Sequence, residues 1–524
     1  MQLIVHRNST SKYKNKASKK LNPVKKIIFT LYILALFTAC KDPIVIDPID
    51  TKTDLEDTVS IGFRGVGAQL GGYDNITQLT GNSGLSNADW EQLFDRIRFM
   101  RPGLVRMTGS EGWNYTLNGV YNPDRSKDVL FKMLDFCQSN NIDVIWGEWG
   151  HVGGTSTYDL DWLNRSINFL DYMINTKGYT CIKYFTMVNE PNGDWSTVAG
   201  NYALWKSLAI KTYQIMLNKG LIAKVKFMAP DISISSGAYT GSPTVTNPFV
   251  TNTVKEINNI VGTYDYHLYP GNDQVENDKF LNTMIAYKKL LPVDKDAMIT
   301  ELGFKYLTTS PKGILNEELK NADQYADVSA CEMVYESIYG IDMSAAIIQL
   351  LKAGYKAALV WRMDDAAYIS VSSNGMKTNR WGFWNSLGAE KFGNADDEKL
   401  RPWFFPVSLL SRFFPAGSTI LNVTVPVKPG LYAIACRKED KYTIALVNTN
   451  TSAYAFDLTM QGGKLLSDMN QYKYVSLERR NYIGEVDANG FPKSIAKQNL
   501  DLSNKKAVSL TMEASSYMLF TNMN

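Results

Sequence analysis

Two segments bring a carboxylate to the end of an apolar run. FTMVNEPNGDW (185–195) passes from apolar residues into Asn189-Glu190-Pro191, and AMITELGF (297–304) carries Glu301. A carboxyl that holds a proton and a second that is ionised, aimed at one point, suit the hydrolysis of a bond between sugars. The acid delivers its proton to the leaving oxygen, and the other carboxylate attacks the anomeric carbon or activates water. The two pKa values must differ, and neighbours enforce the difference. Arg106 in LVRMTG (104–109) and Tyr269 in TYDYHLY (263–269) are fitting partners to keep Glu301 ionised, by charge and by hydrogen bonding. Asn189 can bind a sugar hydroxyl beside the scissile bond. Trp361 in AALVWRM (357–363) can present a flat apolar face to a sugar ring. His267, and Glu148, Trp149 and His151 in GEWGH, complete the candidate substrate contacts.

These residues need a frame that gathers strand ends. Eight apolar, β-branched runs recur from residue 61: 61–70, 104–109, 143–150, 182–190, 224–230, 263–269, 297–304 and 357–363. Segments with apolar residues at helical spacing lie between them, such as NADWEQLFDRIRFM (87–100) behind a polar cap and SKDVLFKMLDFCQSN (126–140) behind Ser126. Eight strand–helix units predict a (β/α)₈ barrel, an α/β fold that gathers function at the C-terminal ends of its strands. A doubly wound open sheet competes, but GFRGVG lacks the spacing of a phosphate-cradling glycine loop. After about residue 415 short alternating runs follow one another without helices, as in LYAIACR and KYTIALVNT, and predict an antiparallel β-sandwich.

At these residues the chain resembles clan A of the glycoside hydrolases, the retaining (β/α)₈ enzymes. NEP (189–191), ITELG (299–303), Arg106, HLY (267–269) and Trp361 stand at the strands where that clan carries its motifs. The resemblance spans about residues 60–400 and is nearest to family 39, with families 30 and 5 beside it. It implies a double displacement with Glu190 as acid/base and Glu301 as nucleophile and carboxyl groups about 5–5.5 Å apart; no cofactor is expected, and no metal, since only His151 and His267 stand outside the expected signal segment. MVNEPN lacks the Trp that family 39 usually sets before the Asn, and ITELGF lacks the Trp common after its nucleophile.

The remaining sequence places the enzyme outside the cytoplasm. The chain has 524 residues and a formal net charge of +3, but residues 1–39 hold eight Lys/Arg and no acid. Without them 47 basic residues face 52 acidic ones, which leaves nothing to attract nucleic acid. The run IIFTLYILALFTA behind Lys25-Lys26 has the length of a signal segment rather than a membrane span. LFTAC resembles a lipobox with Cys40 as the lipidated residue. The expected organisation is a lipoprotein signal over 1–40, a flexible tether over 41–58, the catalytic barrel over 59–414 and the β-sandwich over 415–524. The implied location is the outer membrane or surface of a Gram-negative, Bacteroidetes-like cell, with the lipid as the only membrane contact. Carbohydrate is the expected partner; a monomer is the default, and the sequence leaves the oligomeric state open. Cys137, Cys181, Cys331 and Cys436 lie far apart in apolar runs and read as buried thiols. A surface glycan-binding protein on a catalytically inactive barrel is the alternative, and a structural adhesin a third reading.

Overall fold

The computed structural model describes residues 57–74, 84–151, 160–372 and 375–524. The expected signal segment, Cys40 and most of the tether lie outside the described residues. Among the described residues no helix is long and apolar enough to cross a membrane.

Eight parallel strands form the barrel: β1 (Gly65–Ala68), β2 (Leu104–Gly109), β3 (Asp143–Glu148), β4 (Ile182–Thr186), β5 (Lys226–Ile234), β6 (Thr263–Leu268), β7 (Ala297–Leu302) and β8 (Ala357–Val360). They pair in the order β1-β8-β7-β6-β5-β4-β3-β2. The ring closes where Gln69 bridges Arg106 in parallel, with the Leu70 N–H donating to the Arg106 carbonyl at 2.7 Å. The helical segments between the strands show the expected start signals. Asn87–Met100 begins at Ser86, whose hydroxyl accepts from the Asp89 N–H while the Asp89 carboxylate accepts from the Ser86 N–H.

The barrel interior is layered. Leu104, Ile145, Tyr184, Met228, Met298, Ala357 and Leu359 form an apolar floor. Side chains alternate along a strand, so the next inward position on β2 is Arg106, and polar groups begin one layer above the floor. Between β5 and β6 the register shifts at Pro230/Ile232, and between β6 and β7 at Ile299/Glu301. Such irregularities re-aim side chains, and Asp231 and Glu301 stand at the two shifts.

The C-terminal part has an eight-stranded antiparallel sheet and the two-stranded ribbon Tyr454–Leu458/Val508–Met512. Apolar residues of both, including Leu446, Phe456, Leu458, Met512 and Phe520, fill one core, as a sandwich requires. The strand Thr58–Ser60, which precedes the barrel, pairs with Thr419–Leu421 of this sheet. Helix Ser337–Lys352 is buried along almost its whole length. Tyr474 Oη donates to the Ser337 carbonyl at 2.7 Å, and Lys352 Nζ to the Ala433 carbonyl at 3.3 Å. The barrel and the β-domain accordingly form one compact unit. Among the described residues the cysteines, Cys137, Cys181, Cys331 and Cys436, are buried and free.

Candidate active site

The barrel mouth is organised by Arg106, which is fully buried on β2. Its Nη1 donates to Glu301 Oε1 at 2.5 Å and to Gln69 Oε1 at 3.3 Å. Its Nη2 donates to Asn189 Oδ1 at 2.8 Å and to Asp231 Oδ2 at 3.3 Å. One guanidinium therefore ties together groups from β5 and β7 and from the segments just after β1 and β4, a use suited to its planar fork. Tyr269 Oη donates to Glu301 Oε2 at 2.6 Å, so both oxygens of that carboxylate carry a strong partner.

Glu190 stands opposite. It has φ 46°, in the left-handed region, at a cost of about 1–2 kcal/mol for a residue with a Cβ. Its N–H donates to the Asp231 carbonyl at 3.0 Å, which holds the strained backbone and turns the side chain inward. Glu190 Oε1 lies 3.0 Å from His267 Nδ1, and Oε2 accepts from Trp195 Nε1 at 2.9 Å. His267, fully buried beside Glu301 in the β6/β7 register, also places Nδ1 3.4 Å from Glu301 Oε2 and Nε2 3.0 Å from Asp231 Oδ1. A carboxylate oxygen of Glu190 and one of Glu301 lie within 4.8 Å of each other.

The electrostatics follow from burial and from these contacts. Burial lowers the His267 pKa, but the charges of Glu301 and Asp231 outweigh it and raise the value to about 10, so the ring is an imidazolium at neutral pH. Burial raises the Glu190 carboxyl, yet the hydrogen bond and charge of His267 pull it below its ordinary value. For Asp231 the charges of His267 and Arg106 likewise overcome burial and hold it ionised. Its neighbour Asp265, whose Oδ1 accepts from the Asp231 N–H at 3.0 Å, is driven well up by burial and by the Asp231 charge. Glu301 differs from expectation. Arg106 and Tyr269 do contact it and favour its charge, but burial is the larger effect and Glu190 adds to it, leaving the carboxyl above its usual value.

Of the predicted contacts, Asn189, Arg106, His267 and Tyr269 surround the two glutamates. Trp361 is nearly buried at the end of β8, with its ring 5.1 Å from that of Tyr368, whose hydroxyl accepts from Gln69 Nε2 at 3.3 Å. Glu148 is not brought to the mouth. It is fully buried and accepts from Tyr115 Oη and Ser166 Oγ, both at 3.0 Å. Alternation explains the difference: Glu148 shares the outward face of Trp146, while Gly147 faces Arg106, whose Nε would lie 3.5 Å from an added Cβ. His151 sits half-buried to one side, with Nδ1 3.0 Å from Glu111 Oε1. Glu111 Oε2 accepts from Arg165 Nη2 at 2.7 Å. Trp149 is partly buried and meets Trp113 edge to face at 6.2 Å.

Asp231 is not among the residues that the sequence motifs single out, yet it contacts both His267 and Arg106. The available signal was its place at the end of the fifth apolar run, KVKFMAP. Of the loop tryptophans, Trp381 and Trp384 are buried, whereas Trp195 is 66% exposed. Asp364 and Asp365 are consumed structurally: Asp364 accepts from Tyr73 Oη and Ser386 Oγ, and Asp365 from Arg401 and the Trp381 and Gly382 N–H groups.

Glu190, His267 and Glu301 are close enough to ligate a cation. The Arg106 guanidinium on Glu301 and the Asp231 bond that keeps His267 charged both oppose a metal, since a ligating imidazole must be neutral.

No family model matches the sequence, and no curated protein matches it. Solved structures share its fold. A family 51 α-L-arabinofuranosidase from Bifidobacterium longum superposes with a TM-score of 0.58 at 13% identity, covering 89% of this chain and 97% of that one. A glycoside hydrolase family 30 subfamily 8 xylanase from Clostridium acetobutylicum gives 0.53 at 14%, covering 89% and 97%. A family 39 enzyme from Xanthomonas axonopodis pv. citri gives 0.52 at 10%, covering 89% and 95%. At these identities the likeness is one of fold, and it extends over barrel and β-domain together.

Proposed function

We propose that the protein is a retaining glycoside hydrolase acting on a poly- or oligosaccharide, with Glu301 as nucleophile and Glu190 as acid/base. The observation that carries this reading is that the two carboxylates converge on one point, Glu190 Oε1 3.0 Å and Glu301 Oε2 3.4 Å from the same His267 Nδ1, with one oxygen of each within 4.8 Å of the other. Retaining enzymes keep their carboxyl groups about 5–5.5 Å apart, whereas inverting enzymes leave about 6.5–9.5 Å for a water. Glu301 attacks the anomeric carbon as Glu190 gives its proton to the departing glycosidic oxygen; the glycosidic C–O bond breaks and a glycosyl ester forms. Glu190, now a carboxylate, takes a proton from water, and the resulting attack releases Glu301 and the sugar with its configuration retained. Arg106 and Tyr269 orient Glu301, and Asn189, fixed by Arg106, is placed beside the acid to bind a sugar hydroxyl. Trp195, exposed and hydrogen-bonded to Glu190, is suited to stack the sugar on the leaving side.

Arabinofuranosides and xylans are the first substrates to try, since enzymes with those printed activities share the fold. The test is a screen of 4-nitrophenyl glycosides and polysaccharides, followed by variants on whatever is cleaved. Glu190→Gln and Glu301→Gln each remove nearly all turnover. Azide restores a Glu301→Ala variant and yields a glycosyl azide of inverted configuration. Wild-type turnover in both Gln variants would sink the assignment. Activity in the presence of chelator is unchanged.

The proposal extends to the lipoprotein signal over 1–40, with attachment at Cys40 and the barrel and β-sandwich presented beyond the tether. Cys40→Ser then releases the protein from the membrane fraction, and an unchanged membrane fraction argues against the anchor.

A further inference from the structure

The double displacement requires a protonated Glu190, yet the hydrogen bond and charge of His267 favour its ionised form. The proton is nearby. His267 is clamped between three carboxylates: Glu190 beyond β4 and Glu301 on β7 at Nδ1, and Asp231 on β5 at Nε2. The remaining charged or titratable groups around it are Arg106 on β2, Asp265 on its own strand and Tyr269 just beyond it. Asp231 links four of these groups. Its carboxylate accepts from His267 and from Arg106, its carbonyl accepts from the Glu190 N–H, and its own N–H is tied to Asp265.

We propose that His267 is the proton store of the acid/base and that Asp231 is the positioning residue that keeps it loaded and aimed. This rests on the glycosidase reading above. The transfer is simple in its balance. The proton on Nδ1 crosses 3.0 Å to Glu190 Oε1, leaving a neutral imidazole whose Nε2–H still donates to Asp231. Glu190 passes the proton to the leaving oxygen. In the second half-reaction Glu190 takes a proton from water and returns it to Nδ1. No oxidant, reductant or metal enters. The Nε2–Asp231 bond fixes the ring so that Nδ1 can face only the two glutamates, and the Glu190 backbone is held by the same residue, so donor and acceptor cannot drift apart.

The test begins with the full chain carrying ¹⁵N-histidine. Its three histidines are His6, His151 and His267, and a His151→Gln variant assigns the signals. In the wild type both ring nitrogens of His267 stay protonated up to about pH 9, well above an ordinary imidazole of about 6.5. In Asp231→Asn the ring loses its proton at a lower pH than in the wild type, because one of the charges that raise it is gone. The alkaline limb of kcat/KM, on the 4-nitrophenyl glycoside found in the screen, moves down by at least one pH unit in Asp231→Asn. A neutral His267 in the wild type at pH 7.5 overturns the proposal, as does an Asp231→Asn protein whose imidazolium and alkaline limb match the wild type. Should Asp231→Asn fail to fold, the wild-type titration decides alone. The charge of His267 is read without substrate, so its failure is separate from a failure of the screen or of azide rescue.

Discussion

At the scale of single residues, the site works by setting burial against charge. Glu301 is raised by burial despite Arg106, His267 and Tyr269, so kcat/KM falls on the acid side through a pKa above the ordinary Glu value of about 4.3. A pH–rate profile checks this, and an acid limb below 4 would contradict it. His267 carries the opposite sign. Its folded pKa, raised to about 10, stabilises the native state fully below the unfolded value of about 6.5 and loses that contribution as pH rises to 10. The stability gap between wild type and His267→Gln, measured by denaturant unfolding, therefore narrows from pH 6 to pH 10. Trp195 has one open face and one covered by Gly193, where an added Cβ would meet the ring at 2.3 Å. Trp195→Ala lowers kcat/KM on an oligosaccharide by about 10-fold, the upper end of an aromatic contact of ~0.5–1.5 kcal/mol. Its unfolding midpoint barely changes, because the ring is exposed; equal kcat/KM would remove the stacking role. Asn189, Glu190 and Glu301 were legible from sequence because each ends an apolar run in a distinct motif. Asp231 was not, because its role depends on contacts from β2 and β6.

At the scale of elements, the strands deliver side chains by alternation and the irregularities make the exceptions. Arg106 lies two residues above Leu104 on the inward face of β2, and Glu148 lies outward with Trp146, both as alternation dictates. Glu301 and Asp231 stand at register shifts, and Glu190 and Asp231 have φ of 46° and 55°. Their aim therefore could not be counted along the strand. Closure of the barrel depends on a close approach of β1 to β2. A Cβ on Gly67 would lie 1.9 Å from the Leu104 carbonyl oxygen, a backbone atom without room to yield. Gly67→Ala destabilises the fold by about 3 kcal/mol, at the upper end of overpacking costs, and weakens activity with it because the Gln69–Arg106 bridge is two residues away. Denaturant unfolding measures the first effect, and a neutral result would show that the seam can open without loss.

At the scale of the whole molecule, barrel and β-domain are mutually dependent. The strand before β1 belongs to the C-terminal sheet, and the buried helix Ser337–Lys352 lies against that sheet. Residues 57–524 unfold in one cooperative transition. A fragment ending at 414 exposes the apolar surface of this helix and of Phe404–Phe413, and is recovered aggregated. Calorimetry and solubility distinguish this from two independent domains, which would show two transitions and a soluble barrel.

The sequence by itself determined the succession of eight strand–helix units followed by a helix-free β region, because hydrophobic periodicity is a local property of the chain. It also marked Glu190 and Glu301 as a candidate pair, since each motif is contiguous. Only the tertiary structure decided that Glu148 faces outward, that Asp231 joins the site and that Glu301 is raised rather than lowered. Those outcomes depend on groups far apart in sequence, Gln69, Arg106, Asp231, His267 and Glu301 among them, brought within hydrogen-bonding distance where water is excluded. Desolvation and charge then act together, and no local pattern encodes their sum.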